Sequence, residues 1–413
     1  MKKIIKSSLA VALSVCMAAA MTACGGSSGA SSSESAPAES GAATESAGAG
    51  ATIKIGGSGP LTGPAAVYGQ AVKNAAEIAV EEVNARGGLQ FELNMQDDAH
   101  DPEKAVTAYG VLKDWGMQAS LATVTSAPGA AVSPSYAEDK IFAITPSGSS
   151  TSVIYADPDN LSGAFGNVFQ MCFTDPNQGT ASADYIAAHP ELGSKIGIIY
   201  KNDDNYSKGI FDTFMAEAAA KGLNVVYSEG TFDDSNAQDF TVQLGKAQEA
   251  GADILFLPIY YDPASLILTQ ANGMGYKPTF FGVDGMDGIL GLEGFDTSLA
   301  DGVYLLTPFS ADATDELTVS FVSKYKQKFG EVPNQFAADA YDCVYAIAQA
   351  CEAAGVTADM SSEEICTKLV EQFTTMTFSG LTGSEMKWNE SGEVTKSPKA
   401  VVIKDGVYVG VED

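Results

Sequence analysis

The chain has little positive charge, and this scarcity excludes several classes of function. Its 413 residues include 52 Asp and Glu against 23 Lys and Arg, so the formal net charge is −29, and Arg86 is the only arginine. Nucleic acids and phosphate-rich substrates are bound by basic grooves and arginine forks, for which this composition is unsuited. The sequence therefore argues against nucleic acid as a partner.

Histidines and paired cysteines are also scarce. His100 and His189 are the only histidines, and the six cysteines contain no CxxC pair. Because zinc sites are built from such residues, we expect no metal site. If Cys16 is cleaved off and Cys24 is acylated, we expect the other cysteines to be buried free thiols, although one disulfide remains open. These others are Cys172, Cys343, Cys351 and Cys366.

The amino terminus carries an apolar run that is too short to cross a bilayer comfortably. Lysines precede the run from Leu9 to Met21 and small residues follow it, which is the pattern of an export signal. The segment Met21-Thr22-Ala23-Cys24 resembles a bacterial lipobox, so we predict a lipoprotein signal peptide over residues 1–23 and lipidation of Cys24. A plain signal peptide with a chance cysteine is the alternative. Lipidation would make the protein extracytoplasmic and anchor it to the bacterial cell membrane.

The rest of the chain reads as a tether followed by two α/β lobes. Residues 24–50 contain Gly, Ser, Ala and Glu with hardly any large apolar residue, which predicts a disordered tether. From residue 52 onward, short apolar strand-like runs alternate with helical patterns, and this series occurs twice around a loop-rich passage near residues 157–177. The predicted fold class is therefore α/β, with two Rossmann-like lobes and a hinge of several crossing segments.

The lobes are expected to exchange segments near the carboxyl terminus. Helical patterns follow over residues 314–329 and 335–354. This part of the chain has too few strands to form a third lobe, so we expect its helices to return to the first lobe. Terminal strands near residues 399–409 are expected to join the second. The prediction is thus residues 51–174 plus 308–382 for lobe 1, and residues 175–307 plus 383–413 for lobe 2.

Two of the predicted strands end in small hydroxyl residues. One apolar run stops at Thr125-Ser126, and the next stops at Thr145 and leads to Ser147 and Ser149. If the strands are parallel, both ends lie at the same edge of the sheet, where hydroxyls and unpaired helix N–H groups suit a carboxylate. The alternative is two ordinary βα loops capped by Ser and Thr.

Loops after other predicted strands carry an acid and tyrosines. Asp284 follows one strand of the second series, and Tyr206 and Tyr260 follow others. Asp284 could neutralise an ammonium group while the tyrosines add cation–π contacts, so a zwitterionic amino acid would have both of its charges paired. A turn aspartate and tyrosines packed at the edge of the core are the structural alternatives.

Two other chemistries are less well supported. One segment, Asp97-Asp98-Ala99-His100-Asp101, contains side chains of the types that bind metal ions. It directly precedes a predicted helix, however, and acidic residues are favoured at a helix start for structural reasons. A serine hydrolase built on Ser126 would need a histidine, and neither histidine follows a strand that we expect to form the cleft. No Gly-x-Ser-x-Gly motif surrounds Ser126 either. We therefore expect neither enzyme activity nor a cofactor.

Taken in order, the motifs resemble those of the branched-chain amino acid (Leu/Ile/Val) binding proteins of ABC importers, a family of type I periplasmic solute-binding proteins. The similarity covers nearly all of residues 52–410. It rests on Gly59-Pro60-Leu61-Thr62-Gly63-Pro64 with Tyr68-Gly69, Glu82-Val83-Asn84-Ala85-Arg86-Gly87-Gly88, Asp97-Asp98 before Asp101-Pro102, Thr125-Ser126, Thr145-Pro146-Ser147, Asn205-Tyr206-Ser207-Lys208-Gly209 and Gly282-Val283-Asp284-Gly285.

The resemblance implies a set of ligand-binding residues. It assigns Ser126, Ser147 and Ser149, beside Thr125, to the ligand carboxylate, and Asp284 to its amino group. It places Tyr206 and Tyr260 over the ligand from the second lobe, with Tyr68 and Phe336 near the ligand side chain. Some relatives join the positions of His100 and Thr125 by a disulfide, which this sequence lacks. Asp284 stands where relatives have Glu or Asp, and the shorter acid leaves room for a different ligand pose.

The resemblance also implies a function. We expect a substrate-binding lipoprotein that closes two lobes around a small amino acid, branched-chain or otherwise apolar, and delivers it to the permease subunits of an ABC transporter. A binding protein for an amide, a urea-like compound or a carboxylate, or a ligand sensor without transport, is the alternative.

Overall fold

The computed structural model describes residues 52–411. The predicted signal peptide, the lipidation site Cys24 and the predicted tether lie outside the described residues. Within the described part of the chain, no helix is long and apolar enough to cross a membrane.

The first half of the chain forms a parallel five-stranded sheet. Its elements are β1 (Ile53–Gly59), α1 (Ala66–Ala85), β2 (Phe91–Asp97), α2 (Pro102–Trp115), β3 (Ala119–Thr123), α3 (Ser126–Asp139), β4 (Phe142–Thr145), β5 (Tyr155–Asp157), β6 (Ser162–Ala164) and β7 (Val168–Gln170). The strand order is β2-β1-β3-β4-β7, and β5 and β6 form a separate hairpin. Because β3 and β4 are parallel neighbours, the two hydroxyl-rich strand ends lie side by side, as the sequence predicts.

The second series forms a separate sheet of seven strands. Its elements up to the last parallel strand are α4 (Asp175–Ala188), β8 (Ile196–Lys201), α5 (Asn205–Lys221), β9 (Val225–Phe232), α6 (Thr241–Glu249), β10 (Ile254–Leu257), α7 (Tyr261–Met274), β11 (Thr279–Gly282) and β12 (Tyr304–Thr307). The last elements of the chain are α8 (Glu316–Phe329), α9 (Gln335–Ala354), α10 (Ser362–Phe373), β13 (Lys399–Lys404) and β14 (Val407–Gly410). The strand order is β14-β13-β12-β11-β10-β8-β9.

The chain passes between the two sheets more than once, as predicted. It leaves the first sheet after β7, returns after β12 when α9 packs against α1, and enters the second sheet again at β13, which pairs antiparallel with β12. We call the first sheet and its helices lobe 1, and the second sheet and its helices lobe 2. This is the predicted α/β fold of two Rossmann-like lobes joined by several crossing segments.

Some details differ from the sequence-based expectations. The passage predicted to be loop-rich contains β7 and the start of α4, and neither α4 nor α10 is predicted from periodicity. α4 is rich in small residues and has few large apolar ones, so its helical pattern is weak. The lobe boundaries along the chain stay a prediction. The indole of Trp388 donates to the carbonyl of Gln170 in β7 (2.8 Å), which favours a last crossing point beyond this tryptophan.

A carboxylate in one of the family-like motifs has a structural role. Glu82 of α1 accepts hydrogen bonds from the hydroxyls of Tyr341 and Tyr345 in α9, each at 2.6 Å, and pairs with Lys324 of α8. The Arg86 guanidinium lies 4.5 Å from the centroid of the Tyr345 ring. The motif from Glu82 to Gly88 therefore ties the returning helices to lobe 1. The four cysteines of the described chain are buried free thiols, as expected.

Two glycines in different helices, one packed closely and one not, offer a test of the packing in lobe 2. Helices α4 and α5 approach so closely that a Cβ on Gly179 would lie 2.1 Å from the Thr213 hydroxyl and 2.5 Å from the Ile210 carbonyl oxygen. Gly179→Ala is therefore expected to lower the free energy of unfolding by about 1–3 kcal/mol through overpacking. In Gly245→Ala on α6, the new methyl meets nothing within 4 Å, so this control should be neutral or stabilising by up to about 1 kcal/mol. Urea unfolding of both variants measures the difference, and equal effects would contradict the packing described.

Candidate functional site

A small cavity lies between the lobes, where the carboxyl ends of the two sets of strands face each other. Its volume is about 10 Å³, about the space of one water molecule. All the predicted site residues except Ser126 and Ser149 line it, together with Val124 and Gly285, which the sequence reasoning does not single out. The lining is Tyr68, Val124, Thr125, Ser147, Tyr206, Tyr260, Asp284, Gly285 and Phe336. Even a small amino acid can therefore enter only if the lobes separate or side chains move.

Asp284 is the acidic group of this cavity. It follows β11, is 2% exposed, and accepts hydrogen bonds from the Tyr206 hydroxyl (2.6 Å) and the Gln178 amide (3.0 Å). Burial raises the pKa of Asp284 to about 7, against the lowering effect of these two donors and the Gly285 N–H, and nearby Asp339 raises it further. These uncharged donors fix the carboxylate in position but supply no positive charge, so the carboxylate suits a cationic partner.

Gln178 is a site residue that sequence reasoning missed. It lies on α4, a helix without a clear apolar pattern, so no sequence signal placed it near Asp284. From the sequence, Gly285 is identified only as part of a motif. Glycine is needed at this position for steric reasons, because a Cβ there would lie 2.5 Å from the Tyr206 hydroxyl. Its N–H donates to that hydroxyl at 2.9 Å, so the backbone orients Tyr206 towards Asp284.

The aromatic residues form one cluster that spans the lobes. The ring centroid of Tyr260 lies 4.8 Å from that of Tyr206 and 5.3 Å from that of Tyr68. Tyr68 also packs against Phe336 at 4.5 Å, and its hydroxyl donates to the carbonyl of Gly285 in lobe 2. The predicted aromatic residues are therefore brought together, and hydrogen bonds from Tyr68 and Tyr206 add to their packing.

The Tyr260 hydroxyl lies at the amino terminus of α3. Burial raises the pKa of this hydroxyl well above its usual value, with Asp204, Asp175 and Asp284 adding to the effect, while the Ser126 N–H works against it. Ser126 is the first residue of α3, whose free N–H groups form a site for an anion. A carboxylate could reach Ser126 only if the Tyr260 ring moved aside.

The hydroxyls predicted to bind a carboxylate differ in their hydrogen bonds. The Ser147 hydroxyl donates to the Val124 carbonyl at 2.5 Å, so its proton is already used within the protein. The Ser126 hydroxyl accepts a hydrogen bond from the Ser150 N–H at 3.2 Å, which leaves its own proton available to a ligand. Ser149 is fully buried, and its hydroxyl makes no hydrogen bond of normal geometry with any residue that the structure describes. Ser147 therefore lines the cavity but has its proton engaged, whereas Ser126 and Ser149 lie behind the lining with hydroxyl protons that a ligand could use if the cleft opened.

His100 lies beside the cavity, contrary to the expectation that neither histidine would be at the cleft. Its Nδ1 is 2.9 Å from the Thr125 hydroxyl, and its ring packs edge-on against Tyr260 of lobe 2. Burial lowers the pKa of His100. A hydrogen bond thus joins the two positions that a disulfide joins in some relatives, and the hydroxyl that His100 contacts is that of Thr125.

The acidic segment that precedes α2 does not form a metal site. Asp97 accepts from the backbone N–H groups of Leu61 and Ala99 (both 2.9 Å), and Asp101 caps α2 by accepting from the backbone N–H of Glu103 (2.9 Å). Across residues 52–411, no group of three or more His, Cys, Asp or Glu side chains could hold a metal ion. These carboxylates therefore serve loop and helix-start geometry.

Comparisons with known proteins point to one family. A family model described as periplasmic binding protein matches residues 52–406. The Leu/Ile/Val-binding protein homolog 3 of Brucella melitensis is 29% identical over 239 residues, which are 57% of this chain and 62% of that protein. The match thus spans less than two thirds of that relative. The leucine-, isoleucine-, valine-, threonine- and alanine-binding protein of Pseudomonas aeruginosa is 26% identical, over 83% of this chain and 87% of that protein.

A solved structure agrees with this placement. The branched-chain amino acid transporter substrate binding protein LivJ from Streptococcus pneumoniae, in complex with isoleucine, superposes with a TM-score of 0.74 and 26% sequence identity. The superposition covers 87% of this chain and 100% of that one. These findings confirm the resemblance to the branched-chain amino acid binding proteins, and members of the family are solute-binding proteins and not enzymes. The chain belongs to the periplasmic binding protein family and has its type I fold.

Proposed function

We propose that this chain is the extracytoplasmic substrate-binding component of an ABC importer, and that it binds a small apolar amino acid between its lobes and delivers it to the permease. The observation that carries the proposal is Asp284, a buried acid oriented by Tyr206 and Gln178 towards a cavity whose other side is formed by hydroxyls and a helix amino terminus. The Pseudomonas relative is named for five small amino acids, and the Streptococcus structure holds isoleucine, which supports this ligand class.

The proposed mechanism is binding coupled to closure, with no bond broken. The ligand carboxylate would bind at Ser126 and Ser149 of lobe 1, and the ligand ammonium would pair with Asp284 of lobe 2. Because the ligand then bridges both lobes, it binds the closed state more tightly than the open one and shifts the population towards closure. Tyr68 and Phe336 would pack against its side chain. Lipidation of Cys24 and anchoring to the membrane stay predictions, since this cysteine lies outside the described residues.

A calorimetric screen tests the proposal. The purified protein is titrated with L-leucine, L-isoleucine, L-valine, L-threonine and L-alanine, with L-glutamate and L-lysine as charged controls. We expect a micromolar or smaller Kd for at least one apolar amino acid and no binding of the charged ones, since the aromatic side of the cavity offers no partner for a second charge. Failure to bind any amino acid would contradict the proposal and favour an amide or carboxylate ligand.

The pKa of Asp284 predicts how affinity depends on pH. The ligand ammonium pairs with the ionised carboxylate, so affinity approaches its maximum well above the pKa of about 7 and is lost as pH falls through that value. Between pH 7 and pH 5, Kd should rise by up to about tenfold per pH unit, and binding near pH 6.5 should release a proton. Calorimetry in buffers with different ionisation enthalpies measures this proton. A Kd that stayed constant from pH 8 to pH 5 would show that Asp284 does not meet a cation.

A further inference from the structure

Asp175 is a buried acid for which the binding scheme above has no role. It is the first residue of α4, directly after the chain leaves lobe 1, and it is 1% exposed. Its backbone N–H donates to the carbonyl of Ser149 at 3.0 Å, and its side chain packs against Gly209 of α5. The carboxyl group therefore lies between the serine loop that follows β4 and the first turns of α5, beside the predicted carboxylate subsite.

Among residues 52–411, the Asp175 carboxyl has no partner that could hold it ionised. Neither of its oxygens makes a hydrogen bond of normal geometry, and the same is true of the Ser149 hydroxyl next to it. Burial raises the pKa of Asp175 well above its usual value, and the Ser149 and Ser150 hydroxyls counter this only in part.

The titratable groups around Asp175 are acidic. They are Asp284, Asp204, Tyr260 and Cys172, which come from the loops after β11, β8 and β10 and from the segment after β7. Two lysines of this region are committed elsewhere, Lys201 to Asp234 and Lys396 to Asp339, each at 2.6 Å. Because an ionised carboxylate without a counter-charge is very costly to bury, the arrangement favours the neutral acid.

We propose that Asp175 is a positioning residue of the carboxylate subsite: when a ligand carboxylate binds, Asp175, as a neutral carboxylic acid, forms a hydrogen bond that the described structure does not contain, donates its proton to the Ser149 oxygen and thereby directs the Ser149 hydroxyl proton to the ligand carboxylate. This inference rests on the proposed function, in which Ser149 binds that carboxylate. A neutral acid can donate a hydrogen bond that an ionised one must accept. An ionised Asp175 would instead accept the hydrogen bond of the Ser149 hydroxyl, which could then not donate to the ligand, and would repel the ligand carboxylate. The ligand class that fits is therefore a monocarboxylate whose single cationic group is left to Asp284.

Two variants of Asp175 test the proposal on the purified protein. Asp175→Asn keeps the size and an N–H donor but cannot ionise, whereas Asp175→Leu keeps the approximate size and has no donor. Kd is measured by calorimetry from pH 6 to pH 9, with whichever of L-leucine, L-isoleucine, L-valine and L-alanine binds the wild type most tightly. We expect Asp175→Asn to bind within about threefold of the wild type at neutral pH and Asp175→Leu to bind about tenfold or more weakly, the equivalent of one hydrogen bond.

The pH profile separates positioning from a merely structural role. A neutral Asp175 favours the bound state, so the ratio of wild-type Kd to Asp175→Asn Kd should rise over any pH interval in which the wild-type acid ionises and should stay constant elsewhere; a ratio that falls with rising pH would contradict the proposal. The titration of the ligand is common to both proteins and cancels in this ratio. Asp287→Asn is the matched control. Among the described residues, Asp287 is also buried with one unpartnered oxygen, but it lies outside the serine loop. The ratio of wild-type Kd to Asp287→Asn Kd should therefore not change with pH.

The possible outcomes distinguish this inference from the proposed function. A tenfold or greater loss in Asp175→Asn, with binding of the des-amino analogue unchanged, would show an ionised Asp175 that acts on the ammonium and would overturn the inference. Equal affinity in the wild type and both variants at every pH would overturn it as well. If the wild type bound only carboxylates without an amino group, the proposed function would be wrong, and the same variants would then be titrated with that carboxylate.

Discussion

Replacing Asp284 by Asn is expected to weaken the binding of an apolar amino acid by roughly a hundredfold or more, because the ligand ammonium would be buried without a counter-charge. Removing one partner of a buried ion pair typically costs about 3–5 kcal/mol. The amide keeps the size of the carboxylate and leaves an oxygen for the Tyr206 hydroxyl, so the cavity should keep its shape. Calorimetry with the wild type and the variant at pH 7.5 measures the effect.

The matched control is Asp287→Asn. Asp287 lies three residues further along the same turn, is 4% exposed, and accepts from the Gln335 N–H at 2.8 Å. Its loss should change affinity little, because this acid does not line the cavity. Equal losses in the two variants would mean that buried acids of this turn act through stability alone, and unchanged affinity in Asp284→Asn would contradict the proposed clamp.

Lys396→Met is expected to lower the free energy of unfolding by about 3–5 kcal/mol, the largest stability effect that we predict. The Lys396 side chain is fully buried, and its Nζ lies 2.6 Å from Asp339 of α9 and 2.7 Å from the Thr382 hydroxyl. Burial already raises the pKa of Asp339 to about 6 with the lysine in place. Methionine fills the same space but leaves Asp339 without its counter-charge, and urea unfolding at pH 7.5 should show the loss.

Two further variants separate the buried charge from the loss of packing. The double variant Lys396→Met/Asp339→Leu replaces the whole buried pair by apolar side chains, and nearby Asp342 keeps its hydrogen bonds from the Leu381 and Thr382 N–H groups, so it should recover most of the lost stability. Lys140→Met removes a lysine that pairs with Glu363 on the surface, where both side chains are 60% exposed, and we expect no measurable change. A double variant as unstable as Lys396→Met alone would show that packing, and not the unpaired acid, causes the effect.

The fold could be predicted largely because its signals are local. The Pro102–Trp115 helix has an acidic cap, proline at its start and glycine after its end, and each of these signals lies within the helix or next to it in the sequence. α4 could not be found in this way, since its small residues are selected by the close approach to α5 and not by an apolar stripe. Asp175 and Gln178 lie on that helix, and their roles in the site therefore had no signal in the sequence.

The candidate site could be predicted in outline for a similar reason. Strand ends place Thr125, Ser147 and Asp284 at the cleft whatever the details of packing, because parallel strands end at one edge of a sheet. The hydrogen bonds of each side chain depend on residues distant in sequence. Ser147 is turned inward by the Val124 carbonyl, and His100 reaches the cleft through a left-handed backbone conformation (φ 63°) just beyond β2. Neither effect follows from residue type or spacing.

The central claim is that the amino group of the ligand is held by Asp284 across the closed cleft. The most direct test is calorimetry of the wild-type protein at pH 7.5 with two ligands, the L-amino acid that binds most tightly and its des-amino analogue, such as L-leucine and 4-methylpentanoate. We predict a micromolar or smaller Kd for the amino acid and a Kd at least about a hundredfold larger for the analogue, which leaves Asp284 unpaired. Equal affinity for the two ligands would contradict the account.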